Sequence, residues 1–255
     1  MASDSENRFG YEWDVYDELD ENYLIQFRKW MRPIDEQFMN GKRVLDAGCG
    51  MGRNSYWCLK WGASEVVAFD NDDRTVAAAS RLLSQFKNAT VTKNNIYNIP
   101  YHNEFDIVFS IGVVHHLQYP EKAIAKFAQA LKPGGMMLVW LYGYESNENL
   151  LKVLDPVRKY FTSHLPPSIL HILTYGVSVP FWLGLKLRKP KSEYYQQLKQ
   201  FRFRHVHSII FDQLLPVIAR YYTQADAKKL LSNAGLKNVR AYHTNGMSWT
   251  VVGIK

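Results

Sequence analysis

Residues 44–52 read Val-Leu-Asp-Ala-Gly-Cys-Gly-Met-Gly, and this stretch decides the fold. Val44 and Leu45 are typical of the end of a buried strand, and residues 54–61 of the opening of a helix. The glycines between them let the backbone approach a ligand closely, because no Cβ stands in the way. Helix N-termini carry unpaired N–H groups and a positive potential. We therefore expect a strand–turn–helix unit that holds a nucleotide-like ligand; a plain glycine turn without a ligand is the alternative.

The strand predicted next, residues 65–70, ends in an acidic residue, Asp70. An acidic residue in this place commonly holds a ribose. A dinucleotide site would also need the pattern G-x-G-x-x-G. Counted from Gly48 the third glycine position is occupied by Arg53, and counted from the next glycine it is occupied by Ser55. The pattern therefore excludes a dinucleotide fingerprint.

An acidic residue two places before G-x-G-x-G, here Asp46, resembles motif I of the class I S-adenosylmethionine-dependent methyltransferases. That ligand has no pyrophosphate and carries a sulfonium and an ammonium group, so a carboxylate beside the turn suits it. The resemblance continues at Asn95 and Ile96, after a short predicted strand at 89–93. The family usually has an acidic residue where Asn95 stands, but an amide oxygen can still accept a hydrogen bond from the adenine amino group.

Two further blocks follow in the family's order. A strand is predicted at 105–110, and the run Leu-Lys-Pro-Gly-Gly at 131–135 resembles the family's turn before strand five, here predicted at 136–142. The resemblance implies an α/β fold with a doubly wound, mostly parallel seven-stranded sheet and an antiparallel last strand. It implies S-adenosyl-L-methionine as the cofactor, held by Asp46, Gly48, Cys49, Gly50, Asp70, Asn71, Asn95, Ile96 and Ser110.

The alternation of strands and helices stops after residue 145. Helices are predicted at 73–86, 120–131 and 224–234, and Asn245-Gly246 predicts a hairpin between strands 238–243 and 248–254. We expect three parts. An N-terminal lid segment covers 1–40 and includes a helix at 22–31. The cofactor-binding domain covers 41–145 and 223–255. A helical substrate cap, inserted after strand five, covers 146–222.

The chemistry is expected after strand four, because ligands lie outside the carboxyl ends of parallel strands. His115 and His116 stand there, and a histidine with a near-neutral pKa suits a general base. Scaffolding is the alternative role. In the cap, His205 and His207 would share a face if the segment were extended, with Asp212 orienting one of them. Ordinary hydrogen bonding inside a helical cap is the alternative there. The candidate catalytic residues are His115, His116, His207 and Asp212.

Candidate substrate residues come from several segments and include the aromatic N-terminal stretch. They are Tyr11, Trp13, Arg53, Tyr142, Tyr144, His205 and Tyr222. Residues 110–113 lack the Asn/Asp-Pro-Pro-Tyr/Phe motif of amino-group base methylation, and no cysteine nucleophile is present there, so a nucleic-acid acceptor is disfavoured. No metal site is expected, since the two cysteines form no C-x-x-C. The later part of the chain resembles an uncharacterised subgroup found in surface-polysaccharide and natural-product pathways.

The net charge of +7 concentrates after residue 150. An anionic partner for that half, whether RNA, a membrane surface or a phosphorylated substrate, is one interpretation, and a solvated basic face is the other. Residues 169–185 carry no formal charge, and Lys186, Arg188, Lys189 and Lys191 follow. A spanning helix needs about 20 apolar residues, so we expect a buried or lid helix pair, with an interfacial segment as the alternative. Residues 1–22 resemble no signal peptide, which favours a cytoplasmic protein with peripheral contact to anionic membrane.

The leading hypothesis is therefore a methyltransferase that acts on a small or lipid-linked acceptor, at the hydroxyl of a sugar or natural product. One alternative is a tRNA or rRNA methyltransferase that uses the basic insertion. The other is a cofactor-binding partner subunit without catalysis. The sequence leaves the acceptor and the oligomeric state open.

Overall fold

A seven-stranded sheet forms the centre of the computed structural model, which describes residues 4–15, 19, 22–190 and 193–255, without the side chains of 4–7, 13, 14, 22 and 193. The strand order is β3-β2-β1-β4-β5-β7-β6. β7 is antiparallel to both of its neighbours, and the other pairs are parallel. The strands are β1 Arg43–Ala47, β2 Glu65–Asp70, β3 Ala89–Lys93, β4 Phe105–Ile111, β5 Leu131–Tyr142, β6 Lys237–Thr244 and β7 Ser248–Ile254. The predicted fold class is confirmed.

Helices cover both faces of this sheet and extend beyond its carboxyl edge. They are α1 Asp4–Val15, α2 Asn22–Met31, α3 Glu36–Met39, α4 Arg53–Lys60, α5 Asp73–Leu83, α6 Pro120–Ala130, α7 Glu148–Tyr160, α8 Pro167–Leu187, α9 Glu193–Gln200, α10 Phe203–Leu214 and α11 Gln224–Ser232. Two short 3₁₀ turns occupy Val114–His116 and Thr162–His164.

The central strands are apolar on both faces, as a sheet covered by helices on both sides requires. In β1, Leu45 belongs to one buried cluster, with Phe127 and Leu231. Its neighbour Val44 points the other way, into a second cluster with Phe27 and Trp61. This alternation fixes the register of the sheet, because a slip by one residue would exchange the two faces.

Several predicted boundaries are corrected. α5 ends at Leu83 rather than at residue 86. α6 ends one residue earlier than predicted, at Ala130, and α11 ends two residues earlier, at Ser232. β5 begins at Leu131 rather than at 136, because Leu131 pairs with Phe105 and a bulge absorbs the Pro-Gly-Gly run before the ladder resumes. The predicted hairpin is confirmed, with Asn245 and Gly246 both at positive φ.

The segment 146–222, hereafter the cap, is mainly helical, as predicted. Within it, residues 169–185 belong to one continuous helix of 21 residues, α8, so the expectation of a helix pair is wrong. Residues 202–207 were considered as an extended segment, but Phe203–Leu214 is helical. The division of the chain into a lid, a core domain and a cap stays a prediction.

Candidate functional site

The glycine turn leaves β1 at its carboxyl end and leads directly into α4. The N–H groups of Gly48 and Cys49 both donate to the Phe69 carbonyl, at 2.9 Å. Gly48 has φ +79°, and a Cβ built there would lie 2.6 Å from a Val113 methyl carbon. Only glycine combines this backbone conformation with so close a neighbour. The turn is therefore held as a tight loop at the mouth of the sheet.

Asp70, at the end of β2, supports the turn with its carboxylate. Its Oδ2 accepts a hydrogen bond from the Gly50 N–H at 3.1 Å, and its Oδ1 accepts one from the Asn71 N–H at 2.8 Å. Burial raises the pKa of this carboxyl, and the backbone donors partly offset that. Each carboxylate oxygen has two lone pairs. Oδ1 also accepts a hydrogen bond from the Asp72 N–H at 3.4 Å, so Oδ2 is the oxygen that retains room for a ribose hydroxyl.

Asp46 lies beneath the turn rather than on the surface of the cavity. It is 1% exposed, and its Oδ2 accepts a hydrogen bond from the Ser55 hydroxyl at 2.7 Å. Its other oxygen has no hydrogen-bond partner among the described residues. Burial raises the pKa of Asp46 to about 7; the Ser55 bond lowers it and the charge of Asp70 raises it further. A buried carboxylate oxygen without a donor fits a cationic ligand above it.

One cavity of about 530 Å³ runs from this loop into the cap, a size usual for small-molecule sites. At one end it is bordered by Gly48, Cys49, Gly50, Met51, Arg53, Asn54 and Asp70. At the other end it is bordered by cap side chains, including Leu150, Leu154, Val177, Phe181, Leu198 and Asp212. The predicted cofactor loop and the cap therefore line the same cavity.

Besides Asp46, four predicted cofactor residues do not border this cavity. The Asn95 side chain accepts a hydrogen bond from the Tyr97 N–H, and Ile96 belongs to the core cluster. The Ser110 hydroxyl donates to the Ala47 carbonyl and ties β4 to β1. Asn71 contributes its backbone N–H to Asp70. Their contacts with the cofactor stay predictions, and Thr75 and Gly112 border the cavity without having been predicted.

α1 closes the cavity from above. Phe9, Gly10 and Glu12 border it, whereas Tyr11 points towards α8, with its hydroxyl 3.4 Å from Nδ1 of His171. Tyr11 is therefore misplaced as a cavity residue, because alternate residues of a helix face different sides. The side chain of Trp13 lies outside the described residues. Sequence reasoning missed Glu12, which borders the cavity three residues after Phe9.

Arg8 fastens α1 to the cap. It is 8% exposed, and its guanidinium donates to the carbonyl oxygens of Leu215, Ser163, Leu165 and Thr162 at 2.7–3.3 Å. Leu215 ends α10, where a cation is favoured by the helix dipole.

His116, rather than His115, borders the cavity. Consecutive residues of a 3₁₀ turn point about 120° apart, so the two rings separate. His115 is fully buried and stacks on Tyr142, with ring centroids 3.9 Å apart. His116 Nδ1 lies 2.7 Å from the Ile218 carbonyl oxygen, which can only accept. That bond places the proton on Nδ1 and leaves a lone pair on Nε2.

Comparison with known proteins identifies a domain. A family profile described as a methyltransferase domain matches residues 45–139, from β1 to β5. The predicted resemblance to the class I S-adenosylmethionine-dependent methyltransferases is confirmed for this part of the chain. A methyltransferase activity with S-adenosylmethionine as cofactor is what the domain implies. This methyltransferase also superimposes on a SAM-dependent methyltransferase from Aquifex aeolicus with a TM-score of 0.55 and 15% identity, over 96% of this chain and 97% of that one.

Two curated relatives of the methyltransferase have different acceptors in their names. A tRNA U34 carboxymethyltransferase from Pseudoalteromonas translucida is 30% identical over 135 residues, covering 52% of this chain and 41% of the relative. A mitochondrial ubiquinone biosynthesis O-methyltransferase from Dictyostelium discoideum is 29% identical over 113 residues, covering 40% and 35%. The matches thus span less than half of each relative's own length, and the acceptor of this chain stays open.

A buried pair of carboxyl groups faces the middle of the methyltransferase cavity. Glu12 is 3% exposed, and burial and then the charge of Asp212 raise its pKa well above the usual value. Burial also raises the pKa of Asp212, although its Oδ2 accepts a 2.8 Å hydrogen bond from Tyr142. Arg53 lies close enough to lower both values. These groups form a small polar centre within an otherwise mostly apolar chamber.

The other predicted substrate residues divide between cavity and surface. Tyr142 and His205 border the cavity, as does Arg53. Tyr144 is 44% exposed and does not border the cavity. Tyr221 borders the cavity, whereas the predicted residue Tyr222 does not. His207 is wrongly paired with His205, because the helix turns it away, to within 2.7 Å of the Ser178 hydroxyl. Asp212 therefore orients neither histidine.

The raised pKa of Asp46 predicts how stability depends on pH in the cofactor-free methyltransferase. A carboxyl group whose folded pKa exceeds its unfolded value stabilises the fold below the unfolded pKa, and this contribution is lost as pH rises through about 7. Between about pH 4 and pH 7, where the unfolded state has lost this proton and the folded state keeps it, the loss amounts to roughly 1.4 kcal/mol per pH unit for one group, and it levels off above pH 7. Asp46→Asn should make that decline shallower, measured as urea unfolding free energy at pH 5 and pH 7. Asp73→Asn, at an exposed carboxyl, is the control and should keep the wild-type slope.

Proposed function

We propose that this enzyme methylates a hydroxyl oxygen of an amphipathic acceptor, either a small molecule or a lipid-linked one such as a sugar or natural product. The observation that carries the proposal is the cavity that joins the glycine loop to the cap. Its walls are mostly apolar, and Glu12, Arg53 and Asp212 bring charged groups to it. Such a chamber suits an acceptor with one polar end and one apolar end.

His116 is proposed as the base. When bound, S-adenosylmethionine supplies a methyl group on a positively charged sulfur, which leaves as a neutral thioether. The acceptor hydroxyl gains the methyl group and must lose its proton, and the Nε2 lone pair of His116 can take it. Burial lowers the pKa of His116 to about 4, against the raising effect of the Ile218 bond. The ring is therefore neutral, and able to accept a proton, throughout the physiological range.

The remaining groups hold the acceptor and exclude water. Arg53 and the Glu12–Asp212 pair offer both donors and acceptors to the polar end of an acceptor. α1 and the cap cover the reacting groups on two sides, which keeps the hydroxyl beside the methyl group and raises its effective concentration.

Labelled methyl transfer tests the proposal. The protein is incubated with methyl-labelled S-adenosylmethionine and fractionated cell extract, with the Asp70→Ala variant as a control for cofactor-dependent labelling. We expect label in the organic-soluble or small-molecule fraction. Label confined to nuclease-sensitive material, or no transfer to any fraction, would contradict the proposal; the second result would favour a cofactor-binding partner subunit.

An RNA acceptor is the second candidate, because relatives named tRNA U34 carboxymethyltransferases match the cofactor domain. The structure offers it limited support. Several arginines of the basic segment donate to the protein's own backbone: Arg158 to the Gln213 carbonyl, Arg204 to Val15 and Arg220 to Gln118. An RNA substrate would give an affinity that falls steeply with salt, since phosphate contacts release counterions.

A further inference from the structure

The outward side of α8 is apolar along its whole length. Hereafter the outer face denotes its residues Ile169, Ile172, Leu173, Val179, Leu183 and Leu187, which are 40–86% exposed. Their spacing of three, four or seven residues places them on one stripe of the helix. An exposed helix face normally carries charged side chains, yet residues 169–185 have none. Water alone is therefore a poor partner for this face.

The opposite side of α8 is committed to the protein. Leu170, Thr174, Ser178 and Leu185 are buried, and Ser178 is hydrogen-bonded to His207 of α10. Among the described helices α8 is the one long and apolar enough to cross a membrane, but only 22% of its most apolar 18-residue window is buried. A core helix would be mostly buried. A spanning helix would have to leave α10, so the geometry suits a helix lying flat on a surface.

Charge is placed beside the outer face rather than within it. Lys186, Arg188 and Lys189 follow at the end of α8, and all three are exposed. Lys191 lies outside the described residues. An apolar stripe with basic residues at one end matches an interface with apolar chains below and anionic headgroups above. A second protein copy would not need this arrangement.

The mouth of the cavity lies on the same side. Leu150 of α7 and Val177 of α8 both border the cavity, and they are 46% and 55% exposed. The exposed side of α7 carries an apolar stripe, Val153, Val157 and Tyr160, continued by Phe161, beside exposed charged residues such as Lys152 and Lys159. The part of the cavity wall formed by Leu150 and Val177 thus lies next to apolar stripes of α7 and α8.

We propose that the outer face of α8 docks on an anionic lipid bilayer, with the basic end of the helix at the headgroups and the cavity mouth towards the lipid. α8 lies in the interface and does not cross it. This docking does not depend on the proposed methyl transfer, because it is a property of the surface and is measured without any acceptor.

Vesicle flotation of the purified full-length chain tests the proposal at low salt. We expect binding to phosphatidylcholine vesicles in which about 25% of the lipid is anionic phosphatidylglycerol. Binding to vesicles of phosphatidylcholine alone should be weaker. Ile172→Glu, on the outer face, should reduce partitioning at least about tenfold by removing an inserted apolar group. Phe38→Glu is the matched control, since Phe38 is 39% exposed on α3, before the amino end of β1, and should leave binding unchanged.

Charge reversal gives the second arm. The double variant Arg188→Glu/Lys189→Glu should lower partitioning into the anionic vesicles by at least roughly thirtyfold, which is the additive effect of losing two basic residues before repulsion by the two new carboxylates is counted. The control double variant Lys228→Glu/Lys229→Glu changes the net charge equally on α11, which packs against β6 and β7. It should retain wild-type binding. Circular dichroism and thermal melts confirm that each variant is folded.

Four results would overturn the proposal. One is a folded wild-type protein that fails to float with anionic vesicles. Another is equal loss of binding in the α8 variants and their controls. The third is a dimer in sedimentation analysis that Ile172→Glu dissociates while vesicle binding is absent, because the outer face would then belong to a second copy of the chain. Resistance of vesicle-bound protein to extraction at alkaline pH would contradict a surface location and indicate a spanning helix.

Discussion

Asp70→Ala is expected to weaken the binding of S-adenosylhomocysteine by about two orders of magnitude. The substitution removes a buried carboxylate that can accept ribose hydroxyls, and hydrogen bonds to a charged group contribute about 1.5–3 kcal/mol each. It also removes the acceptor of the Gly50 N–H, which holds the glycine loop. Isothermal titration calorimetry measures the change. Asp70→Asn retains one side-chain acceptor, so its affinity for S-adenosylhomocysteine should lie between those of the wild type and Asp70→Ala.

Asp73→Ala is the matched control for this prediction. Asp73 is close in sequence and carries the same charge, but its side chain is 81% exposed and paired with Lys93. Its removal should leave cofactor affinity unchanged within a factor of about two. Equal affinities for the wild type and the Asp70→Ala variant, with both proteins folded, would show that Asp70 does not contact the cofactor.

His116→Ala is expected to lower kcat for methyl transfer by a factor of roughly 10²–10⁴, the usual contribution of a positioned base. Affinity for S-adenosylhomocysteine should change little, since the glycine loop and Asp70 are untouched. Initial rates are measured with the extract fraction that accepts label. His102→Ala, which removes an exposed histidine bonded to Gln129, serves as the control and should keep wild-type activity.

The pH profile separates a base from a merely structural histidine. With the pKa of His116 near 4, the base is already deprotonated at pH 5, and the wild-type kcat/KM should show no histidine-type acid limb near pH 6.5. The rate should fall only as pH approaches 4. An acid limb centred near 6.5, or a His116→Ala variant as active as the wild type, would remove His116 from the mechanism.

The sequence places the glycine loop and Asp70 at the cavity, because these parts of the site are local. Gly48 needs a left-handed backbone, which the run of glycines indicates, whereas its close neighbour Val113 is distant in the sequence. Asp70 ends a short apolar strand that is parallel to β1, so its place beside the turn follows from the strand order. The expected roles of these residues stay predictions until the cofactor-binding experiments are done.

The substrate side is predicted less well, because it depends on how helices rotate. His205 and His207 would share a face in a strand, but they face different sides in a helix. A short apolar run is compatible with a strand and with a helix. His115 and His116 are adjacent in sequence, so only the 3₁₀ turn decides which one borders the cavity. Sequence spacing carries no information about that rotation.

Glu12 was missed for a different reason. An acidic residue in a polar N-terminal segment is usually exposed, and its burial arises from long-range contact between α1 and α10. Its partner Asp212 lies 200 residues later in the chain. No local pattern brings these two carboxyl groups together, whereas the three-dimensional contact does.

The tie between Arg8 and the cap has a kinetic consequence. α1 packs against α5, and a Cβ at Gly10 would lie 2.1 Å from an Asp72 carboxylate oxygen, so this helix covers the cofactor end of the cavity. We therefore expect the exchange of spent cofactor to require release of Arg8 from its carbonyl partners and movement of α1 away from the cavity. The residence time of the cofactor should then depend on how readily α1 detaches.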